Sequence, residues 1–235
     1  MSSNEAYISE IFVSFQGEGP YIGEKQLFIR FAGCNIACNY CDTAESQVIP
    51  LNPIKAEELM GQIVPLIKNK NQFHSISITG GEPLLQVEFL KGFLPELKKI
   101  GLPIYLETNG TLPAHLEEII EWVDIVALDF KIPSATGLSP YFKEHTKSLE
   151  SAYQKEVFVK MAVAKGTKVQ ELAEAADIIA NVDSNIMAVI QPITPHGKNM
   201  QTLKYEDLLA FHTTLKRKLK RVRVIPQMHK ALGLR

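Results

Sequence analysis

Seven short runs rich in Val, Ile and Leu recur along this chain, at residues 27–31, 75–79, 104–108, 125–130, 157–163, 186–190 and 222–225, with longer stretches of helical periodicity between them. This alternation narrows the possible folds sharply. Strands joined by a crossover of a dozen or more residues run parallel, and the connecting helices cover the sheet. The periodicity predicts helices over 56–68, 87–100, 116–122, about 141–153, 169–180 and 205–219; the first places Leu59, Ile63, Leu66 and Ile67 on one face. The expected fold class is α/β. A twisted parallel sheet of about six strands curls into an incomplete (β/α)6-type barrel, a partial TIM barrel. No Gly/Ser linker, repeat or low-complexity tract divides the chain, and 235 residues of 46% hydrophobic content suffice for one core. One domain spanning 1–235 is expected, with an N-terminal extension over about 1–26 that covers the substrate.

The three cysteines of the chain all fall in one loop, as Cys34, Cys38 and Cys41 in the order C-x-x-x-C-x-x-C. Cysteine used for packing or disulfides would be scattered, so this loop (33–43) points to one soft-metal site. Iron-sulfur cubanes take four ligands. Three thiolates therefore leave one iron open, the logic of a catalytic metal position. Two other readings stand beside this one: three buried hydrophobic thiols without metal, and a zinc ion on the same thiolates, which softness alone does not separate from iron.

The remaining distinctive segments give an independent check on the barrel. Ligand sites on such sheets gather at the carboxyl ends of the strands. The cysteine loop follows the first predicted strand, Gly80-Gly81-Glu82 the second, Asn109-Gly110 the third, Lys131 the fourth and Gln191-Pro192 the sixth. All fall at one edge of the sheet.

Charge excludes several function classes. With 25 Lys and Arg against 26 Asp and Glu, the net charge is -1, which offers no footprint for nucleic acid or an anionic membrane. The basic run at Lys216, Arg217, Lys218, Lys220 and Arg221 reads as a solvated helix end. The N-terminus lacks the pattern of a leader, and no run approaches 18 apolar residues. A cytoplasmic protein is expected. Three cysteines, which cannot all pair within one chain, agree with a reducing compartment.

Taken together, C-x-x-x-C-x-x-C and the Gly80-Gly81-Glu82-Pro83 tetrad resemble the radical S-adenosylmethionine superfamily. Further segments narrow the likeness: Glu10-Ile11-Phe12, Ser14-Phe15-Gln16-Gly17-Glu18-Gly19, Phe28-Ile29-Arg30-Phe31-Ala32-Gly33-Cys34, Cys41-Asp42-Thr43 and Pro226-Gln227-Met228-His229-Lys230. They resemble the 7-carboxy-7-deazaguanine synthase family, densely over about the first 45 residues and again at the tetrad and the tail.

The resemblance implies a radical lyase that converts 6-carboxy-5,6,7,8-tetrahydropterin to 7-carboxy-7-deazaguanine with loss of ammonia, in 7-deazapurine (queuosine-type) biosynthesis. It implies a [4Fe-4S] cluster on Cys34, Cys38 and Cys41, S-adenosylmethionine and magnesium. A flavodoxin-like or ferredoxin-like electron donor and a homodimer come with it, without direct contact to nucleic acid or membrane. Cofactor contacts carry over to Tyr40, Cys41, Asp42, Gly81, Asp129, Phe130 and Lys131, a magnesium contact to Thr43, and substrate contacts to Phe15, Gln16, Gly17, Arg30 and Thr79. Many relatives carry Ser-Pro-Lys where this chain has Asp129-Phe130-Lys131, so Lys131 transfers more directly than its two neighbours.

Each of these residues has a plainer role open to it. A Gly-Gly after a strand also makes an ordinary tight turn. Asp129 and Lys131 also make a structural salt bridge, Thr43 also makes a helix N-cap, and Arg30 also makes a surface ion pair, although its apolar strand predicts a charged partner if it points inward. Glu82 suits either a ligand ammonium or its own loop. Among the histidines, only His229 stands in a family-like context; His74, His115, His145, His196 and His212 read as surface or capping residues. Two rival functions remain: a glycyl-radical-enzyme activase, which shares the cysteine spacing but has no need of residues 16–19 or Thr43, and a zinc-binding interaction protein.

Overall fold

The computed structural model describes residues 4–41, 43–194 and 202–233. Its main feature is an eight-stranded sheet in the order β10-β9-β8-β7-β6-β5-β3-β2. From β3 (Lys25–Phe31) the strands β5 (Ser75–Gly80), β6 (Ile104–Thr108), β7 (Ile125–Asp129), β8 (Glu156–Val163), β9 (Met187–Pro192) and β10 (Val222–Val224) run parallel, each beside the one before it. Six full strands and the three-residue β10 make the expected incomplete barrel. The sheet stays open, because β2 (Ile8–Phe15) and β10 are its two edges.

The N-terminal extension is part of the sheet. β2 pairs antiparallel with β3, and β1 (Glu5–Ala6) pairs with β4 (Ile54–Lys55) in a small ribbon. Helical periodicity places α1 (Ala56–Ile63), α2 (Val87–Lys98), α3 (Pro113–Ile119), α5 (Phe142–Ala152), α6 (Val169–Asp183) and α7 (Tyr205–Lys216) over the outer face, with the short α4 (Pro133–Thr136) after β7 and α8 (Met228–Leu232) near the end. The predicted helices over 56–68 and 116–122 finish as 3₁₀ turns, at Val64–Ile67 and Ile120–Trp122. Pro65, which has no N–H for an interior helical bond, falls in the first of these turns.

Each parallel strand has two different faces. The outward positions Leu27, Ile29, Ile76, Ile78, Leu106, Val126, Leu128, Val159, Met161, Ala188 and Ile190 are buried in one core with the helices. Their alternates point to the concave side. There Tyr105, Ile125, Ala127, Phe158, Met187 and Val189 form a smaller apolar floor. The same inward rows carry a polar residue toward the carboxyl end: Arg30, Thr79, Glu107, Asp129, Lys160 and Gln191, one on each of the six full strands. The period-two geometry of a strand makes this division. No helix among the described residues is long and apolar enough to cross a membrane.

Candidate active site

A cavity of about 350 Å³ opens above the apolar floor, within the range of small-molecule sites. All three cysteines line it, together with the six inward polar residues, the covering segment around Phe15 to Glu18, and His229 and Lys230 from α8.

The cluster loop is held by backbone and neutral hydrogen bonds. Gly81 N–H donates to the Phe31 carbonyl at 3.1 Å, and Glu82 N–H donates to that of Gly33 at 2.8 Å. A Cβ on Gly81 would stand 2.1 Å from the Gly33 oxygen, and one on Gly80 would stand 2.1 Å from the Phe31 oxygen. Gly80 is therefore required by the end of β3 and Gly81 by the start of the cysteine loop, before any ligand is considered. Glu82 is completely buried; its carboxylate accepts from Leu84 N–H (3.0 Å), Thr108 Oγ1 (2.9 Å) and Asn109 N–H (2.7 Å). It holds its own loop to β6. Burial raises its pKa, opposed by those same hydrogen bonds. Asn109 in turn donates from Nδ2 to Asn35 Oδ1 at 3.0 Å, inside the cysteine loop.

The thiols are half-buried. Burial pushes Cys34 up and Cys38 up to about 11 when no metal is bound; coordination would reverse this, since a metal holds the thiolate outright. Gln47 Nε2 donates to Cys41 Sγ at 3.4 Å. Among the described residues, no three His, Cys, Asp or Glu groups converge on a single ion. A cubane spreads its thiolates over different irons. Three thiols facing one cavity beside a glycine-lined wall fit the cluster.

A second wall is ionic. Asp129 Oδ2 accepts from Lys131 Nζ at 2.9 Å and lies 3.4 Å from Lys160 Nζ, and Lys160 also pairs with Glu18 of the covering segment. All four side chains are at most 18% exposed. Burial raises the Asp129 pKa, but the two ammonium charges outweigh it and hold the carboxyl below its usual range. For Lys131 burial works downward and Asp129 reverses it, well above the usual value. Asp129 Oδ1, Tyr40 Oη and Gln191 Oε1 are buried without a hydrogen-bond partner among the described residues, so the cavity presents polar atoms that a polar ligand can satisfy. The Lys131 ammonium also lies 5.7 Å from the centre of the Tyr40 ring.

Most of the expected site residues meet in this cavity. Phe15, Gln16, Gly17, Arg30, Tyr40, Cys41, Thr43, Thr79, Gly81, Asp129 and Lys131 line it with Cys34 and Cys38; Asp42 and His196 lie outside the described residues. Two expectations change. Phe130 points into the core, fully buried and stacked 4.5 Å from His145, so its ring does not reach the cavity. Gln16 faces the cavity, but its amide donates to Gln26 Oε1 (3.1 Å) and Glu107 Oε1 (3.0 Å) and accepts from Glu18 N–H (3.0 Å). Gln16 is thus engaged with the protein. Arg30 has the charged partner its strand required, Glu10 at 3.3 Å, and lies over Phe12.

His145 is no surface residue: it is completely buried and donates from Nε2 to the Asn109 carbonyl at 3.1 Å. His115 caps, donating from Nδ1 to the Leu84 carbonyl at 2.8 Å. His229 packs on Gly17, where a Cβ would stand 2.6 Å from the histidine Cβ.

The sequence reading passed over Glu107 and Lys160. Thr79 Oγ1 donates to Glu107 Oε2 at 3.2 Å, so Gln16 and Thr79 each hold one oxygen of that carboxylate. Glu107 is the single charge of β6, and Lys160 the single charge of the apolar run 157–163.

The comparisons with known proteins agree with this geometry. The model of the radical SAM superfamily matches residues 28–209, and the chain belongs to that superfamily. Over 99% of its length it is 38% identical to the 7-carboxy-7-deazaguanine synthase of Geobacter sulfurreducens, covering 99% of that protein; to the one of Archaeoglobus fulgidus it is 35% identical over 98% of its length, covering 99%. Within the superfamily it belongs to the 7-carboxy-7-deazaguanine synthase family. The fold also resembles the crystal structure of QueE from Escherichia coli, with a TM-score of 0.59 at 19% identity, covering 94% of this chain and 93% of that one.

Proposed function

We propose that this chain is a radical S-adenosylmethionine lyase that converts 6-carboxy-5,6,7,8-tetrahydropterin to 7-carboxy-7-deazaguanine and ammonia. One observation carries the reading: three thiols, an ionic wall with unpartnered polar atoms and an oriented carboxylate all face a single cavity. When bound, the [4Fe-4S] cluster and S-adenosylmethionine supply reductive cleavage of the sulfonium and abstraction of hydrogen from carbon.

The protein's own work is positional. Cys34, Cys38 and Cys41 would hold the cluster and leave one iron open. Tyr40, Gly81, Asp129 and Lys131 would hold S-adenosylmethionine, with Lys131 as the cation for its carboxylate. Glu107 suits the N–H donors of the bicyclic ring, since Gln16 and Thr79 fix its oxygens toward the cavity. Arg30 would clamp the substrate carboxylate, and Phe15 and Gly17 would close over the ring. Thr43 lines the same cavity. Its one hydroxyl cannot satisfy magnesium, which demands several oxygens, so the substrate carboxylate and water would complete that ion's shell.

The compartment we infer is the cytoplasm and the working unit a homodimer, reduced by a flavodoxin-like or ferredoxin-like protein. The near-neutral charge gives no reason to invoke nucleic acid. Anaerobic protein reconstituted with iron and sulfide, given reductant, S-adenosylmethionine and the carboxypterin, should release 7-carboxy-7-deazaguanine by mass analysis. Cys38→Ser should reduce product to background. Product from that variant at wild-type rate would refute the mechanism, and wild-type cleavage of S-adenosylmethionine without product would refute the substrate.

A further inference from the structure

The four charges Glu18, Lys160, Asp129 and Lys131 make one continuous chain across the cavity. Its two ends belong to different parts of the site. Glu18 lies in the segment that covers the cavity, where Gln227 Nε2 (3.5 Å) and His229 Nδ1 (3.9 Å) also approach it. Asp129 ends β7 and Lys131 follows two residues on, at the wall proposed to hold the cofactor. Between them Lys160 has two carboxylate neighbours, in closer contact with Glu18 than with Asp129, 3.4 Å away.

We propose that Lys160 is a positioning residue that couples the cover of the cavity to the cofactor wall, so that a ligand held at Asp129 and Lys131 tightens residues 16–19. The geometry supplies the coupling. Asp129 Oδ1 is buried and unpartnered, while Oδ2 is shared by both ammonium groups. A ligand hydrogen-bond donor on Oδ1 draws off part of the carboxylate's charge, and the Lys160 ammonium then falls more fully to Glu18. In a poorly solvated cavity such a shift is weakly screened. By linkage the effect runs both ways: a cover held closed by a second ligand must favour binding at Asp129 by the same factor.

For S-adenosylmethionine alone the inference needs no pterin; its extension to the second ligand rests on the function proposed above. The test uses reconstituted, unreduced holoprotein, in which S-adenosylmethionine is not cleaved. Hydrogen exchange of residues 16–24 should slow by about five-fold or more on adding S-adenosylmethionine, the lower end of ordinary coupling factors. In Lys160→Met and Glu18→Gln the slowing should fall below about two-fold, although both still bind S-adenosylmethionine and show the wild-type iron absorbance. Using two variants separates coupling from a folding defect, since each breaks a different joint and Glu18→Gln keeps the shape. With 6-carboxypterin, the oxidised ring, at saturation, S-adenosylmethionine should bind about five-fold more tightly to the wild type and about equally to the variants. Unchanged exchange in the wild type, or equal slowing in wild type and variants, would overturn the coupling. If 6-carboxypterin fails to bind while S-adenosylmethionine still protects the cover, the coupling stands and the proposed substrate falls.

Discussion

The two walls of the cavity are built from opposite materials. On the cluster side, Gly33, Gly81, Glu82, Asn35 and Asn109 are joined mainly through backbone groups and neutral side chains, and Glu82 is the one buried charge. On the other side the side chains of Glu18, Lys160, Asp129 and Lys131 are joined by ion pairs and charged hydrogen bonds, and only Asp129 and Lys160 also face each other in the strand ladder. Backbone contacts tolerate no added atom but are indifferent to charge; ion chains tolerate some movement but not the loss of a member. The contrast suits the tasks proposed for the two walls, since a cluster needs a fixed frame, whereas a cover that admits substrate has to open.

Breaking the fixed wall should have the largest effect. Gly81→Ala sets a methyl group 2.1 Å from the Gly33 carbonyl oxygen, and is expected to cost about 5 kcal/mol or more. Both the unfolding free energy and the iron incorporated on reconstitution should fall. Asp129→Ala tests the ionic wall: it strands Lys131 and leaves Lys160 with Glu18 alone, a loss of about 3–5 kcal/mol. Here iron content should stay at the wild-type level while S-adenosylmethionine binding weakens. Loss of iron in Asp129→Ala would show that the walls are not independent.

His145 stands behind both walls, bonded to the Asn109 carbonyl on one side and stacked on Phe130 on the other. Burial lowers its pKa from 6.5 to about 4. Between those values the unfolded chain binds the proton that the folded one refuses, so stability is present above pH 6.5 and falls as pH drops toward 4. The loss is on the order of 3 kcal/mol, and denaturant titrations of wild type and His145→Gln should differ in slope over this window. The smallest effect sharpens the glycine argument. Gly61, in α1, has nothing within 4 Å of a Cβ, so Gly61→Ala should stabilise by up to about 1 kcal/mol.

How legible each wall is in the sequence follows from the same contrast. The cysteine loop and the Gly-Gly-Glu-Pro tetrad are local words, and their meaning survives without knowing what faces them. So Cys34, Cys38, Cys41 and Gly81 could be placed from spacing and resemblance. Glu107 is the one charge of β6 and Lys160 the one charge of the run 157–163, and Lys160 meets Glu18 across 142 residues. The alternation rule turns both inward, because a single charge in an apolar run must face the wet side. The ring of Phe130 follows the same rule: its neighbours Asp129 and Lys131 face the cavity, and the side chain between them faces the core.

The sequence alone determined the succession of strands and helices, the parallel sheet and the gathering of all three cysteines in one loop, because periodicity and residue spacing act over a few residues. Only the tertiary structure decided which charges meet and that His145 lies inside the protein. Partners so far apart along the chain are selected by strand order, curl and burial, and no stretch of sequence holds all three.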